Sequence, residues 1–138
     1  MTRSCAASLV LAFCMTLGCG GDAPDLSGEY AGELLDDSLG RAGVRLTLHD
    51  VRDALSGTWR ASGAGFLDRS YYVVGSHTGV AVELDVSLST VSGNTTWSAA
   101  GICSYRLTGT ETGSELIGTY STHGCDERRT GRFSLQRQ

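Results

Sequence analysis

The stretch "LSGTW" at residues 55–59 decides the fold, because two near copies of it occur elsewhere in the chain. "LSGEY" stands at 26–30 and "LIGTY" at 116–120. Residues i, i+2 and i+4 of a β-strand share one face, so each copy places a leucine, a glycine and an aromatic ring on the same side. A glycine inside a strand marks a bend or the close approach of another backbone, and recurring glycines let a sheet coil and close. The repeat therefore predicts a β-barrel.

Alternating runs elsewhere in the chain supply the other strands. "VRLTLH" at 44–49 and "VAVELDVSL" at 80–88 alternate apolar and polar residues, which is typical of antiparallel strands with one buried face. We predict eight strands, at about 26–34, 43–49, 54–61, 69–76, 79–88, 95–108, 114–121 and 130–137. The fold class is therefore all-β, an eight-stranded antiparallel up-and-down β-barrel.

The hairpin between the sixth and seventh strands has a predicted register. "ETGS" at 111–114 suits a two-residue turn with Thr112 and Gly113 at its tip. This register places Tyr105 opposite Tyr120, with both rings on the inner face.

The first residues have the features of an exported lipoprotein. Residues 5–18 form an apolar run, shorter than the ~20 residues that cross a bilayer, so we interpret it as the hydrophobic part of a secretory signal. The "TLGC" that ends at Cys19 resembles the lipobox of bacterial lipoproteins, in which the cysteine becomes the lipidated first residue. The alternative is an ordinary cleaved signal peptide, which would leave the protein soluble.

The lipobox resemblance implies a domain that is tethered to a membrane. We expect a lipoprotein signal peptide at 1–18, a flexible tether at 19–25 and one β-barrel domain at 26–138, with the membrane contacted through lipidated Cys19. Gly20 resembles the sorting pattern of outer-membrane lipoproteins. We therefore expect the protein in the cell envelope, lipid-anchored to the outer membrane of a Gram-negative bacterium.

The charge balance argues against nucleic acid as a partner. The chain has a formal net charge of −4 and no lysine, whereas nucleic-acid binders present a basic face. The basic clump "ERRTGR" at 127–132 is interpreted as a solvated strand end.

The cysteines predict one disulfide. Cys5 and Cys14 leave with the signal peptide and Cys19 is taken by lipid, so Cys103 and Cys125 remain, and two thiols in an exported domain most economically pair. The three histidines show no metal-like spacing to them. We expect neither a metal nor a cofactor.

The glycine–aromatic pattern is similar to that of the calycin group, which includes the lipocalin and avidin barrels. "LSGEYAGEL" at 26–34 resembles their first strand, "LSGTW" resembles the third strand of avidins, and "GRFSLQRQ" at 131–138 resembles the closing strand. The resemblance implies a calycin-like barrel. It implies no ligand-binding residue, because the polar set that avidins use on biotin cannot be matched position by position.

The inward aromatic side chains suggest a binding module for a small apolar or aromatic ligand. The candidate ligand-binding residues are Tyr30, Trp59, Tyr105, Tyr120 and Phe133, with Trp97 and one of Tyr71 and Tyr72 as possible additions. An eight-stranded barrel holds one small ligand or is filled by its own side chains, so these rings could equally form the core.

The alternative function is that of an envelope interaction protein, an inhibitor or assembly accessory that binds another envelope protein through loops 34–43 and 123–129. Asp36 and Asp37 could bind a cation there, but we interpret them as part of a solvated turn. The sequence shows no nucleophile motif, so we expect no enzyme activity. We also expect a monomer.

Overall fold

The computed structural model describes residues 24–66, 68–88 and 103–138. The signal peptide, Cys19, Trp97 and the first part of the predicted sixth strand lie outside these ranges and stay predictions. No helix formed by the described residues is long and apolar enough to cross a membrane.

Eight antiparallel strands form a closed barrel in which each strand pairs with the next and the last pairs with the first. This confirms the predicted fold class. The strands are β1 Gly28–Asp36, β2 Gly40–Val51, β3 Ala54–Gly63, β4 Ser70–Thr78, β5 Ala81–Ser87, β6 Ser104–Glu111, β7 Glu115–His123 and β8 Thr130–Arg137.

The glycine of "LSGTW" has the role that its position predicts. A Cβ atom on Gly57 would lie 1.8 Å from the carbonyl oxygen of Thr47 on the neighbouring strand. No side chain fits at that distance, so only glycine allows β2 and β3 to approach this closely. Leu55 and Trp59, on either side of it, are buried inside the barrel.

The predicted register between β6 and β7 is wrong by two residues. Leu107 lies opposite Tyr120, and Tyr105 lies opposite Thr122. The turn is displaced by one residue from its predicted position. The Thr112 backbone N–H donates to the Glu115 carbonyl oxygen at 2.9 Å, which leaves Gly113 and Ser114 at the tip.

The long loop predicted at 34–43 is also wrong. β1 continues to Asp36, and β2 begins at Gly40, which pairs with Asp36. Only residues 37–39 connect the two strands. The physical reason is that Leu34 and Asp36 continue the inward alternation of β1, so the strand extends beyond the point where its sequence turns polar.

The barrel has two ends that differ in their connections. We call one the tether end; it carries residues 24–27 and the turns β2–β3, β4–β5 and β6–β7. We call the other the disulfide end; it carries the β1–β2 turn, the β3–β4 connection at 64–69, the β7–β8 connection at 124–129, and the disulfide.

Candidate functional site

Four aromatic rings lie against one another at the disulfide end, and we call them the aromatic arc: Phe66, Tyr71, Tyr105 and Tyr120. The centroid of the Tyr105 ring lies 4.9 Å from that of Phe66, 5.9 Å from that of Tyr71 and 6.2 Å from that of Tyr120. All four residues are buried. The tilted and edge-on arrangements are those that aromatic pairs prefer.

Strand alternation brings three of these rings to the arc, and a connection brings the fourth. Tyr71, Tyr105 and Tyr120 occupy inward positions of β4, β6 and β7. Phe66 comes from the β3–β4 connection, where its N–H donates to the Gly63 carbonyl oxygen at 2.9 Å. Positive φ angles at residues 63–65 turn this connection back toward the barrel.

A buried ion pair adjoins the aromatic arc. Arg129 donates from Nε and lies with Nη2 against Asp36 Oδ2, each at 2.9 Å, and both side chains are almost fully buried. Tyr120 donates a hydrogen bond to the same carboxylate oxygen. Arg129 also donates to the Ala64 carbonyl oxygen, and its guanidinium lies 5.0 Å from the centroid of the Phe66 ring. One side chain thereby joins β1, the β3–β4 connection and the β7–β8 connection.

The hydrogen bonds to Asp36 keep its carboxylate charged. Burial alone would raise the pKa of Asp36, but bonds from Tyr120, from the backbone N–H groups of Ser38 and Leu39 and from Arg129 together lower it. The two backbone bonds measure 2.8 Å each. The charges of Asp36 and Arg129 therefore cancel, and the ion pair adds no net charge to this end of the interior.

The hydroxyls of Tyr105 and Tyr120 stay protonated. Burial raises the pKa of Tyr105 to about 12, with a further contribution from the neighbouring Tyr71. Burial, followed by the hydrogen bond to Asp36, also raises the pKa of Tyr120. These two side chains therefore add neutral hydroxyl groups to this end of the interior.

Trp59 lies beside the arc, opposite Tyr71 in the pairing of β3 with β4. Its side chain is fully buried. The indole Nε1–H has no hydrogen-bond partner within the described part of the chain. Among the described residues, it is the single fully buried side-chain nitrogen or oxygen without a partner. An unpaired buried donor is uncommon in folded proteins and requires an explanation.

The structure brings together only some of the candidate ligand-binding residues. Trp59, Tyr105 and Tyr120 lie at or beside the arc, together with Tyr71, while Tyr72 is exposed. Tyr30 instead donates from its hydroxyl to the Leu26 carbonyl oxygen at the tether end, at 3.0 Å.

The Phe133 ring packs against glycines of the barrel wall. A Cβ atom on Gly109 or Gly118 would lie 3.0 Å or 2.9 Å from it. Phe133 therefore fills space that these glycines leave, as a core residue does.

Sequence reasoning missed three residues at this end. The sequence-based interpretation of Asp36 and Arg129 as solvated residues is wrong, because the two side chains neutralise each other inside the barrel. Asp36 continues the inward alternation of Leu34, so a signal for it was present. Phe66 lies in a connection without any alternation, so no comparable signal existed.

The predicted disulfide is confirmed. Cys103 and Cys125 are bonded, with Cα atoms 5.0 Å apart and 22 positions apart in the chain. The bond attaches the start of β6 to the β7–β8 connection that carries Arg129. Among the described residues, no group of three or more histidine, cysteine, aspartate or glutamate side chains is arranged to hold a metal ion.

The tether end contains a second buried polar cluster, centred on His77. Nε2 lies 2.8 Å from Asp50 Oδ2, and Nδ1 lies 2.9 Å from the Gly79 carbonyl oxygen. Both neighbours are acceptors, so the ring satisfies both contacts only when it is doubly protonated. Burial would lower the pKa of His77, but the bonds to Gly79 and Asp50 and the charge of Asp53 raise it overall.

Comparisons with known proteins identify the architecture. No family model matches the chain, and no curated protein matches it significantly. Solved structures do match, among them a bradavidin2–biotin complex at 17% identity and a TM-score of 0.55, over 78% of this chain and 95% of that one. The chain has an avidin-like fold. Intact apo afifavidin matches this avidin-like barrel at 18% identity and a TM-score of 0.55, over 83% of this chain and 82% of that one. Apo shwanavidin matches at 13% identity and the same TM-score, over 84% of this chain and 98% of that one.

Proposed function

We propose that the protein is a membrane-anchored binding protein of the cell envelope, held by lipidated Cys19, that takes a small ligand at the disulfide end of the barrel. The single observation that carries the binding proposal is the unpaired Nε1–H of Trp59 beside the aromatic arc. A ligand acceptor would satisfy this donor. Support also comes from the fold, since one of the similar structures is a complex with biotin.

The ligand class follows from the chemistry of the aromatic arc and the ion pair beside it. The aromatic arc offers flat apolar surface, the Asp36–Arg129 pair is neutral as a whole, and the hydroxyls of Tyr105 and Tyr120 are protonated. An unpaired charge on the ligand would be costly to bury here. We propose an uncharged, flat ligand, apolar or aromatic over most of its surface, with one hydrogen-bond acceptor for Trp59. Binding alone accounts for this arrangement, and we propose no catalysis.

The alternative of an interaction protein loses part of its basis. It depended on long contact loops, but residues 37–39 are all that separates β1 from β2. In the second proposed loop, Arg129 points into the barrel and is buried.

A matched pair of probes tests the proposal. Naphthalene and isoquinoline have nearly the same size and shape, but only isoquinoline has an acceptor nitrogen. We expect isoquinoline to bind the purified domain more tightly in titration calorimetry. Trp59→Phe should weaken that binding about fivefold, because a typical hydrogen bond contributes ~1 kcal/mol.

Tyr30→Phe is the control, since it also removes one polar group from a buried ring but at the tether end. Its affinity for isoquinoline should equal that of the wild type. The proposal fails if neither probe binds the folded domain, or if the effect of Tyr30→Phe matches that of Trp59→Phe. Native mass spectrometry of the exported protein would then identify any natural ligand by its mass.

A further inference from the structure

Two of the most exposed apolar side chains lie at the tether end. Val51 precedes the β2–β3 turn and is 66% exposed, and Val80 lies in the β4–β5 turn and is 50% exposed. Arg52 and Asp53 form the tip of the first turn, both with positive φ, as in a tight two-residue hairpin. The two valines therefore lie at neighbouring hairpin ends.

A short hydrogen-bond chain fixes these turns to the point where the N-terminal segment joins the barrel. The Leu26 N–H donates to Asp50 Oδ2 at 3.1 Å, and the same oxygen lies 2.8 Å from His77. His77 in turn contacts the Gly79 carbonyl oxygen, next to Val80. Arg137 holds the start of the segment by donating to the carbonyl oxygens of Asp25 and Ser27 at 2.7 Å and 2.8 Å.

The length of chain before Asp25 limits how the barrel can lie on a membrane. Cys19 and Asp25 are six positions apart, which is about 20 Å when fully extended. β1 has 9 residues; at ~3.3 Å per residue and a tilt near 40°, it extends about 22 Å along the barrel axis. An anchor at Cys19 therefore keeps the tether end within about 20 Å of the lipid. The disulfide end lies about 22 Å from the tether end along the barrel axis, which is about the full length of the extended tether.

We infer that the tether end is a membrane-contact surface, with Val51 and Val80 entering the interface of the bilayer that holds the Cys19 lipid. The inference depends on the lipid anchoring in the proposed function. Arg52, beside Val51, faces the headgroups, and Asp53 lies 3.4 Å from His77, which offsets its charge. The consequence is that the aromatic arc and its end of the barrel face away from the membrane, toward ligand in the aqueous phase.

Fluorescence quenching by nitroxide-labelled phospholipids tests the orientation. The full lipidated protein is reconstituted in phosphatidylcholine–phosphatidylglycerol vesicles with an environment-sensitive dye at either of two exposed turn positions, Thr112→Cys at the tether end or Ser38→Cys at the disulfide end. We expect severalfold stronger quenching of the dye at position 112. Equal quenching, or stronger quenching at position 38, would overturn the inference while vesicle binding still supports the anchor.

Matched charge substitutions test the valines themselves. Leu39, in the β1–β2 turn, is as exposed as Val80, at 50%. With the dye at position 112, Val51→Asp combined with Val80→Asp should reduce quenching severalfold, and Leu39→Asp should leave it unchanged. Unchanged quenching in the valine variant would show that the tether alone positions the barrel. A Cys19→Ser control should not bind vesicles. If the wild type also fails to bind them, the anchoring proposal is overturned together with the inference.

Discussion

Each end of the barrel buries a pair of opposite charges, but the two pairs are of different kinds. At the tether end, His77 and Asp50 connect two hairpin turns and the N-terminal segment, and the positive charge depends on protonation of an imidazole. At the disulfide end, Arg129 and Asp36 are both charged at any pH near neutrality, and they lie among aromatic rings.

The difference is that the polar groups at the tether end are paired with one another, whereas a buried donor at the disulfide end is not. The described polar atoms around His77 are paired with one another, which is what a structural junction requires. At the disulfide end, Trp59 lies opposite Tyr71, and its Nε1–H has no hydrogen-bond partner among the described residues. Because Asp36 and Arg129 both stay charged, the net charge of this buried pair is zero across the physiological pH range.

The largest effect should come from breaking the pair at the disulfide end. Asp36→Ala leaves the Arg129 charge buried without its partner, so we expect a loss of about 3–5 kcal/mol in the free energy of unfolding. Urea denaturation measures it, and Glu33→Ala, which breaks the exposed pair with Arg41, is the control with little expected effect. A loss in unfolding free energy as small as that of Glu33→Ala would contradict the conclusion that Asp36 neutralises a buried Arg129.

The disulfide should contribute the next largest effect. Replacing Cys103 and Cys125 by serine opens a loop whose ends are 22 positions apart, and loop entropy gives a loss of about 3 kcal/mol. We also expect weaker isoquinoline binding, because the bond holds the connection that carries Arg129. If affinity is unchanged in the folded variant, the bond stabilises the barrel without shaping the ligand site.

The smallest effect should be at the tether end, and it should depend on pH. Because the pKa of His77 is raised in the folded state, its contribution is fully present below its ordinary value of 6.5 and is lost as the pH rises through the folded-state pKa. The loss in unfolding free energy on His77→Gln should therefore be about 1 kcal/mol near pH 5.5 and smaller near pH 8.5. A loss that is the same at both pH values would indicate that the folded protein contains neutral His77. Ligand affinity should not change.

The barrel could be predicted from the sequence because its evidence is local. The alternation and the glycine of "LSGTW" are both visible within five residues, and each predicts which side chains of the strand face the barrel interior. The disulfide followed from cysteine counting. The inward positions of Tyr105 and Tyr120 also followed from alternation, although the register between their strands did not, because the turn at Thr112 is closed by a backbone bond that no residue type specifies.

The site was harder to predict because its partners are distant in the chain. Asp36 and Arg129 lie 93 positions apart, in segments whose composition resembles solvated turns. Only the closed barrel brings the end of β1 beside the start of β8. Alternation extended by one step would have placed both side chains inside, but nothing in the sequence indicates that they neutralise each other or that Phe66 joins the arc.

The most direct test of ligand binding at the disulfide end is a titration of the ¹⁵N-labelled domain with isoquinoline, followed by NMR. The Trp59 indole N–H gives its own signal, which a Trp97→Phe variant assigns. We expect that signal to move downfield to saturation, together with amides near Phe66 and Tyr105, while those of Leu26 and Gly79 at the tether end stay in place. An indole signal that does not move, or shifts that cluster at the tether end, would contradict the assignment of the ligand site to the disulfide end.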